Sequence, residues 1–362
     1  MKKIVLFGLN GRSGPLHVSS NLANSLSKNY ETYIVLPSYS NKNLLNKKVN
    51  LITTKAPPSV KHTAILTLKR KMHKNLMKEI EKITPDYVLF MDDHPWYINY
   101  AKKLKKHNTK FGFVINDPRF HTGDIGFFEG KYTRWFHKWM YKHSNKVITL
   151  SKASKKYLLK DGVKENKIVI SKIGFIDLKL RKSKTTKPKK NSILFFGRIV
   201  KYKGLDILSE AIKLVSKKIS DVKCVVAGSG DINPYIKGFD KKHFQITNKF
   251  IHENEIIKFF ENTELVVLPY IDATQTAVVQ IAYYFQKPVI VTNVGALPEV
   301  VRAGKTGFIV PRKNPAVLAQ KIVEFLKMSE KDKKQMQKNI DEYVSKDLSW
   351  DNISKKLIKD LF

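Results

Sequence analysis

At 362 residues, 42% hydrophobic and 27% charged, the chain is long enough to fill two cores and too ordinary in balance for a disordered or collagen-like protein. Its single cysteine, Cys224, excludes an intramolecular disulfide framework and any multi-thiolate zinc or iron–sulfur site, which fits a reducing compartment. There are 67 Lys and Arg against 31 Asp and Glu, a net +36. The excess is uneven: residues 1–190 hold 40 basic and 12 acidic side chains, net +28, which leaves 27 and 19, net +8, for residues 191–362. A lysine-biased genome would load both halves alike, so the first half is expected to meet an anionic partner, membrane headgroups or nucleic acid.

Near the amino terminus the apolar run Ile4-Val5-Leu6-Phe7 reaches Asn10-Gly11-Arg12 too soon for a signal-peptide core of about 7–15 residues, and reads as a buried first strand. Residues 2–9 (KKIVLFGL), 32–36 (TYIVL), 86–91 (DYVLFM), 110–115 (KFGFVI) and 146–150 (KVITL) are short β-branched or aromatic runs. Stretches of helical spacing separate them, the pattern of a parallel sheet covered by helices. Two of those stretches are amphipathic and basic. Residues 60–83 carry Ile65, Leu68, Met72, Leu76 and Ile83 on one side, with Lys69, Arg70, Lys71, Lys74 and Lys78 around the other. Residues 131–143 interleave Trp135, Phe136, Trp139 and Tyr141 with cations. Both suit an anionic leaflet, and both suit packing on their own sheet. No stretch approaches the roughly 20 apolar residues of a spanning helix, so a soluble or peripheral protein is expected.

The rhythm stops at 178–192 (LKLRKSKTTKPKKNS) and restarts at 193–197 (ILFFG), 222–227 (VKCVVA), 244–247 (FQIT), 264–268 (ELVVL), 288–292 (PVIVT) and 307–310 (GFIV). From Asn314 an amphipathic helix places Leu318, Ile322, Phe325 and Leu326 together; a charged break at 329–338 and a last helix from Ser349-Trp350-Asp351 to Phe362 follow. The expected organisation is an amino-terminal Rossmann-like domain over 1–180, a linker over 181–192 and a carboxyl-terminal Rossmann-like domain over 193–340. A segment 341–362 returns to the first domain. The fold class is α/β, two doubly wound parallel sheets facing a central cleft, where such folds hold ligands.

Several constellations carry chemistry. The strand at 193–197 runs into Gly197-Arg198 and Lys203-Gly204 ahead of a helix near Leu205. Two cations at a strand end beside a helix start can neutralise a diphosphate, or form a solvated basic turn. Gly228 and Gly230 let backbone approach a ligand or serve a turn. Thr274, Gln275 and Thr276 offer hydroxyl and amide groups for a phosphate or sugar at a helix start, or simply cap it. In Gly295-Ala296-Leu297-Pro298-Glu299, Glu299 suits the first helical turn. In the first half, Gly8-x-x-Gly11-x-x-Gly14 lacks the dinucleotide order and no acidic residue closes the second strand, which disfavours a dehydrogenase. Asp92-Asp93-His94 follows a strand whose adjacent side chains face opposite ways, which favours a cap or a binding role over a metal. His121 lies beyond Asn116-Asp117 on a strand-end loop, where a lone histidine is more often structural.

Together these residues resemble the retaining GT-B glycosyltransferases of the glycosyl transferases group 1 family, over nearly the whole chain and most clearly from 193 to 311. The carriers are Phe196-Gly197-Arg198 with Lys203-Gly204, Val226-Ala227-Gly228-Ser229-Gly230, Leu268-Pro269-Tyr270, Lys287-Pro288-Val289-Ile290, Gly295-Ala296-Leu297-Pro298-Glu299 and Thr306-Gly307-Phe308-Ile309-Val310. The resemblance implies retaining transfer of a sugar from a nucleotide-sugar donor to a hydroxyl acceptor, in cell-surface polysaccharide or glycolipid synthesis. It implies no cofactor and no metal. Arg198 and Lys203 would hold the donor diphosphate and, with His121, form the catalytic set. Gly11, Gly14, Gly197, Gly228, Gly230, Thr274, Gln275, Thr276 and Glu299 would line the donor. Asp93, His94 and Asp117 would face the acceptor, a lipid-linked sugar or saccharide. Many members carry two glutamates eight positions apart where this chain has Ala273 and Ile281; Thr274-Gln275-Thr276 is similar to a branch with that triplet instead. A cytoplasmic enzyme, peripheral on the inner membrane face through its basic half, is expected. The alternatives are a nucleotide-sugar epimerase of the same fold or a basic nucleic-acid-binding protein; no nucleic-acid motif supports the latter, and no nucleic-acid partner is expected.

Overall fold

A computed structural model describes residues 1–56, 70–119, 127–178, 188–235, 240–274 and 276–362, and the buried runs form two separate parallel sheets. The first unit takes the chain up to Ile176 and again from Leu348 to Phe362; the second takes Asp177 to Asp347.

The first unit runs β1 (Lys3–Phe7), α1 (Ser13–Leu26), β2 (Glu31–Pro37), β3 (Asn50–Thr54), α2 (Arg70–Ile83), β4 (Tyr87–Phe90), α3 (Tyr97–Lys106), β5 (Lys110–Ile115), α4 (Phe127–His143), β6 (Lys146–Thr149), α5 (Lys152–Lys160) and β7 (Ile168–Ile170). The strands are parallel in the order β3-β2-β1-β4-β5-β6-β7. Alternation along each strand fills both faces. Val5, Phe7, Val88, Phe90, Phe111 and Phe113 lie under α2, α3 and α4. Ile4, Leu6, Ile34, Leu36, Tyr87 and Leu89 lie in the opposite core, under α1. Burial on both faces is why the strands read as unbroken apolar runs.

The second unit runs β8 (Ser192–Phe196), α6 (Leu205–Ser216), β9 (Lys223–Ala227), β10 (Phe244–Thr247), α7 (Glu253–Glu261), β11 (Leu265–Leu268), α8 (Val278–Tyr284), β12 (Val289–Thr292), β13 (Gly307–Val310), α9 (Pro315–Leu326) and α10 (Glu330–Lys346). Its parallel order is β10-β9-β8-β11-β12-β13. The chain then returns to the first unit as α11 (Trp350–Leu361). Trp350 Nε1 donates to the carbonyl of Phe175 at 2.7 Å, and its indole lies so close over Gly174 that a Cβ there would stand 2.5 Å from the ring. Ser25 on α1 and Ser354 on α11 place their hydroxyls 2.9 Å apart, small residues that let the two helices approach.

Four expectations need correction. The first unit ends at Ile176 instead of 180, and the chain re-enters it at Leu348 instead of 341. Of the expected linker, 181–187 lies outside the described residues, while Ser192 already opens β8 and the Asn191 N–H is held by Glu264 Oε2 at 2.6 Å. The charged break at 329–338 is the start of α10, capped by Ser329 and buried along Lys333, Met336, Ile340 and Tyr343. Lys333 reaches Glu264 at 2.8 Å, so a lysine occupies a core-facing position and hides the apolar stripe. Finally, β3 and β7 add strands beyond the expected runs: β3 (NLITT) is a half-polar edge strand, and β7 (IVI), though β-branched, is only three residues long.

Among the described residues no helix is long and apolar enough to cross a membrane. Strand order reverses beside the first strand of each sheet, between β1 and β4 and between β8 and β11. At these points the loops leaving the carboxyl ends part in opposite directions, and an open α/β sheet offers a crevice there.

Candidate active site

In the second unit the loops after β8 and β11 meet at the switch point. Gly197 leaves β8 at φ +117, with no described atom within 4 Å of where a Cβ would stand, an opening at which a ligand can approach the backbone. Arg198 is exposed and its Nη2 donates to Tyr202 Oη at 3.1 Å. A one-turn 3₁₀ helix, Lys201–Lys203, ends at Gly204 in the left-handed region, φ +68, where a Cβ would strike the carbonyl oxygen of Pro269. That close approach sets Lys203 against the β11 loop: it is 8% exposed and its Nζ donates to Tyr270 Oη at 2.6 Å. Ile271 N donates to the Tyr202 carbonyl at 2.7 Å, tying the two loops together through backbone as well.

Gly228 and Gly230 have a structural explanation. A Cβ on either would collide with the carbonyl oxygens of Gly197 and Ile199, because β8 and β9 continue to pair past their ends. Thr274 is buried, and its carbonyl accepts from Ala296 N at 3.1 Å. Thr276 Oγ1 accepts from Val278 N at 3.2 Å, so one N–H at the start of α8 is already taken. Glu299 sits in the 3₁₀ turn Leu297–Val300 that follows β12. Gln275 lies outside the described residues.

The first unit has a polar knot at its own switch point. Tyr97 Oη receives Leu9 N–H at 3.0 Å and lies 2.9 Å from the Phe7 carbonyl and 2.6 Å from Asp92 Oδ1; Asn10 N donates to Asp92 Oδ2 at 2.8 Å. Asp92 is 1% exposed, and burial pushes its carboxyl up to about 7 against the hydrogen bonds from Tyr97 and Asn10. Gly11, at φ +62, would place a Cβ 2.5 Å from Ser40 Oγ, and Gly14 lies in the first turn of α1.

Asp92 and Asp93 diverge. Asp93 is exposed and its Oδ2 lies 2.8 Å from Nε2 of buried His137 on α4. His94 is buried beside Trp96; Trp96 N donates to its Nδ1 at 3.3 Å, which leaves the ring hydrogen on Nε2, a buried atom with no partner among the described residues. Burial, with His73 nearby, lowers the His94 ring to about 3, so it stays neutral. Asp117 is exposed just past β5, and His121 lies outside the described residues. Sequence reasoning gave no role to Tyr270 or His137; Tyr270 stood within a quoted motif, whereas nothing local marks His137.

Residues 177–343 match the family described as glycosyl transferases group 1, and residues 17–172 match glycosyltransferase family 4. The chain thus carries a glycosyl transferases group 1 domain in its second unit and a glycosyltransferase family 4 domain in its first. The chain is 25% identical over 346 residues to the uncharacterized glycosyltransferase MJ1607 of Methanocaldococcus jannaschii, across 89% of this chain and 86% of the relative. Over 197 residues it is 28% identical to the capsular polysaccharide biosynthesis glycosyltransferase CapM of Staphylococcus aureus, across 50% of this chain and 52% of CapM. Among solved structures, Anabaena Alr3699/HepE in complex with UDP and glucose shares the fold at a TM-score of 0.71, with 16% identity across 100% of this chain and 99% of that one. At that identity the likeness speaks for the fold alone, the two-sheet GT-B architecture.

Proposed function

We propose that this glycosyltransferase transfers a sugar, with retention of anomeric configuration, from a nucleotide-diphosphate sugar held by the second unit to a hydroxyl acceptor taken by the first. The observation that carries the reading is the Lys203 ammonium fixed at the β8/β11 switch point by Tyr270, with the Arg198 guanidinium on the same loop. The bond from the sugar's anomeric carbon to the diphosphate breaks, a bond to the acceptor oxygen forms, and the acceptor's proton leaves with the departing phosphate. Negative charge grows on that diphosphate, and two placed cations act where it grows. The Thr274-Gln275-Thr276 triplet takes the place of the paired glutamates. Anabaena HepE, of the same fold, binds UDP and glucose, which supports a nucleotide donor here.

The acceptor assigned is a lipid-linked sugar or saccharide, offered at the cytoplasmic face of an anionic membrane. Support comes from the net +28 of residues 1–190 and from α4, where Trp135 is 54% exposed beside Tyr132, amid exposed Arg134 and Lys138. The test is a screen of nucleotide sugars for thermal stabilisation, then donor turnover with and without acceptor lipid, the product's anomeric configuration being read by NMR. Stabilisation by a nucleotide sugar and acceptor-dependent release of its nucleotide are expected. Donor consumption without acceptor, or an inverted product, would refute the reading.

A further inference from the structure

Tyr270 stands just past β11, buried on the opposite side of the switch point from Lys203. Its oxygen receives a hydrogen from the Lys203 ammonium at 2.6 Å, and that nitrogen also lies 3.9 Å from the ring centroid. Burial raises the phenol far above its ordinary range, so it keeps its own hydrogen. The phenol oxygen also lies 3.5 Å from Thr276 Oγ1, which accepts from Val278 N at 3.2 Å and so stands fixed beside the ring. The backbone at Tyr270 is fixed from two sides. Its carbonyl accepts from Thr292 Oγ1 at 2.6 Å, and the next N–H, of Ile271, goes to the Tyr202 carbonyl at 2.7 Å. A lysine ammonium is a point charge on a flexible four-carbon stem and is placed only as well as its partners place it. Tyr270 is such a partner, delivered from a strand that is not consecutive with β8 in sequence.

We propose that Tyr270 is a positioning residue for the diphosphate: it anchors the Lys203 ammonium at the switch point, and Thr276 orients the phenol so that its oxygen faces that ammonium. The proposal rests on the reading of Lys203 as a diphosphate ligand. It is tested with inorganic pyrophosphate, by titration calorimetry at constant physiological salt, on the full chain and on Lys203→Ala, Tyr270→Phe, Thr276→Val and the doubles that combine Lys203→Ala with each of the other two. Tyr270→Phe should weaken binding about tenfold, the scale of one hydrogen bond to a charged group. Lys203→Ala should weaken it more, and Lys203→Ala with Tyr270→Phe should bind no more weakly than Lys203→Ala alone. Wild-type affinity in Tyr270→Phe, or losses that simply add, overturns the role of Tyr270 while leaving that of Lys203 intact. If Tyr270→Phe does not unfold cooperatively, Thr276→Val decides: a loss of about threefold is expected, vanishing in the Lys203→Ala background. Persistence of that loss, or its absence, overturns the proposal. Wild-type pyrophosphate binding by Lys203→Ala instead removes the diphosphate reading itself.

Discussion

Tyr97 holds Asp92 at 2.6 Å through its single phenolic hydroxyl, which also lies 2.9 Å from the Phe7 carbonyl and accepts the Leu9 N–H. A phenol has one hydrogen and faces two acceptors here. If Asp92 carries a proton, it donates to Tyr97, Tyr97 donates to Phe7, and every group is satisfied. An ionised Asp92 competes with Phe7 for the one hydrogen. The geometry therefore agrees with a carboxyl that full burial holds at about 7, above its ordinary 3.8.

The consequence is a pH-dependent stability of definite sign. An acid whose value is raised on folding gives its full stabilisation below the unfolded value and loses it as pH climbs through the folded one. Asp92 should thus weaken the fold between about pH 4 and pH 7, with no further change from this group above that. Asp92→Asn retains an acceptor for Asn10 and a donor for Tyr97 and cannot ionise. Its melting temperature should match wild type near pH 4 and exceed it by at least about 3 °C at pH 8. Parallel melting curves for the two proteins across that range would show that Asp92 does not titrate as described.

Catalysis should respond unequally to the two cations. Lys203 is 8% exposed and anchored, whereas Arg198 is exposed, so its charge is better screened. Lys203→Ala should lower turnover about 10²–10³-fold, the scale of removing one placed charge stabiliser. Arg198→Ala should lower it by about tenfold less. Steady-state rates with a saturating donor measure both, and near-normal turnover in Lys203→Ala rules out its assigned role.

The proposed membrane attachment has a single-residue test. Trp135 and Tyr132 on α4 are 54% and 41% exposed, with ring centroids 5.8 Å apart, on a helix face that also exposes Arg134 and Lys138. Interfacial aromatics beside cations bind anionic headgroups. Trp135→Ala should reduce retention on phosphatidylglycerol vesicles several-fold while leaving the melting temperature unchanged. Equal retention of variant and wild type counts against α4 as the anchor.

Much of this arrangement was legible because its signals are local. Strands β5, β10 and β13 coincide with their apolar runs, and Arg198 and Lys203 stand where a strand end, a glycine and a helix start are consecutive. What stayed hidden depends on strand order. Lys203 and Tyr270 are 67 residues apart, and Asp93 and His137 are 44 apart; only the adjacency of β8 with β11, and the packing of α4 beside the β4 loop, unites them. The alternation that revealed the sheets says which face a residue takes, and nothing about which distant loop will meet it. The start of α10 was obscured differently: Lys333 is buried by pairing with Glu264, so charge alone misreads its environment.

Lys287, in the turn before β12, shows the same effect and yields the last prediction. It is buried, its Nζ donates to the Glu261 carbonyl at 3.3 Å, and it borders a cavity of about 450 Å³ with Glu264 and Lys333. Burial lowers its ammonium to about 8 from 10.5, against the pull of Glu261 and Glu264. A base lowered on folding contributes stability above its unfolded value and loses it as pH falls through the folded one. The loss should therefore run from about pH 10.5 down to pH 8, and near pH 7 the fold carries the whole burden of a buried charge. Lys287→Met keeps the length of the side chain and removes that charge, at the expense of one long hydrogen bond to a carbonyl. It should raise the melting temperature at pH 7 by about 2–4 °C, with the gain shrinking as pH rises past 8. Thermal unfolding of both proteins from pH 7 to pH 10 tests this directly. A destabilised variant at pH 7 would show that the carboxylates of Glu261 and Glu264 hold Lys287 as an ion pair, outweighing its desolvation.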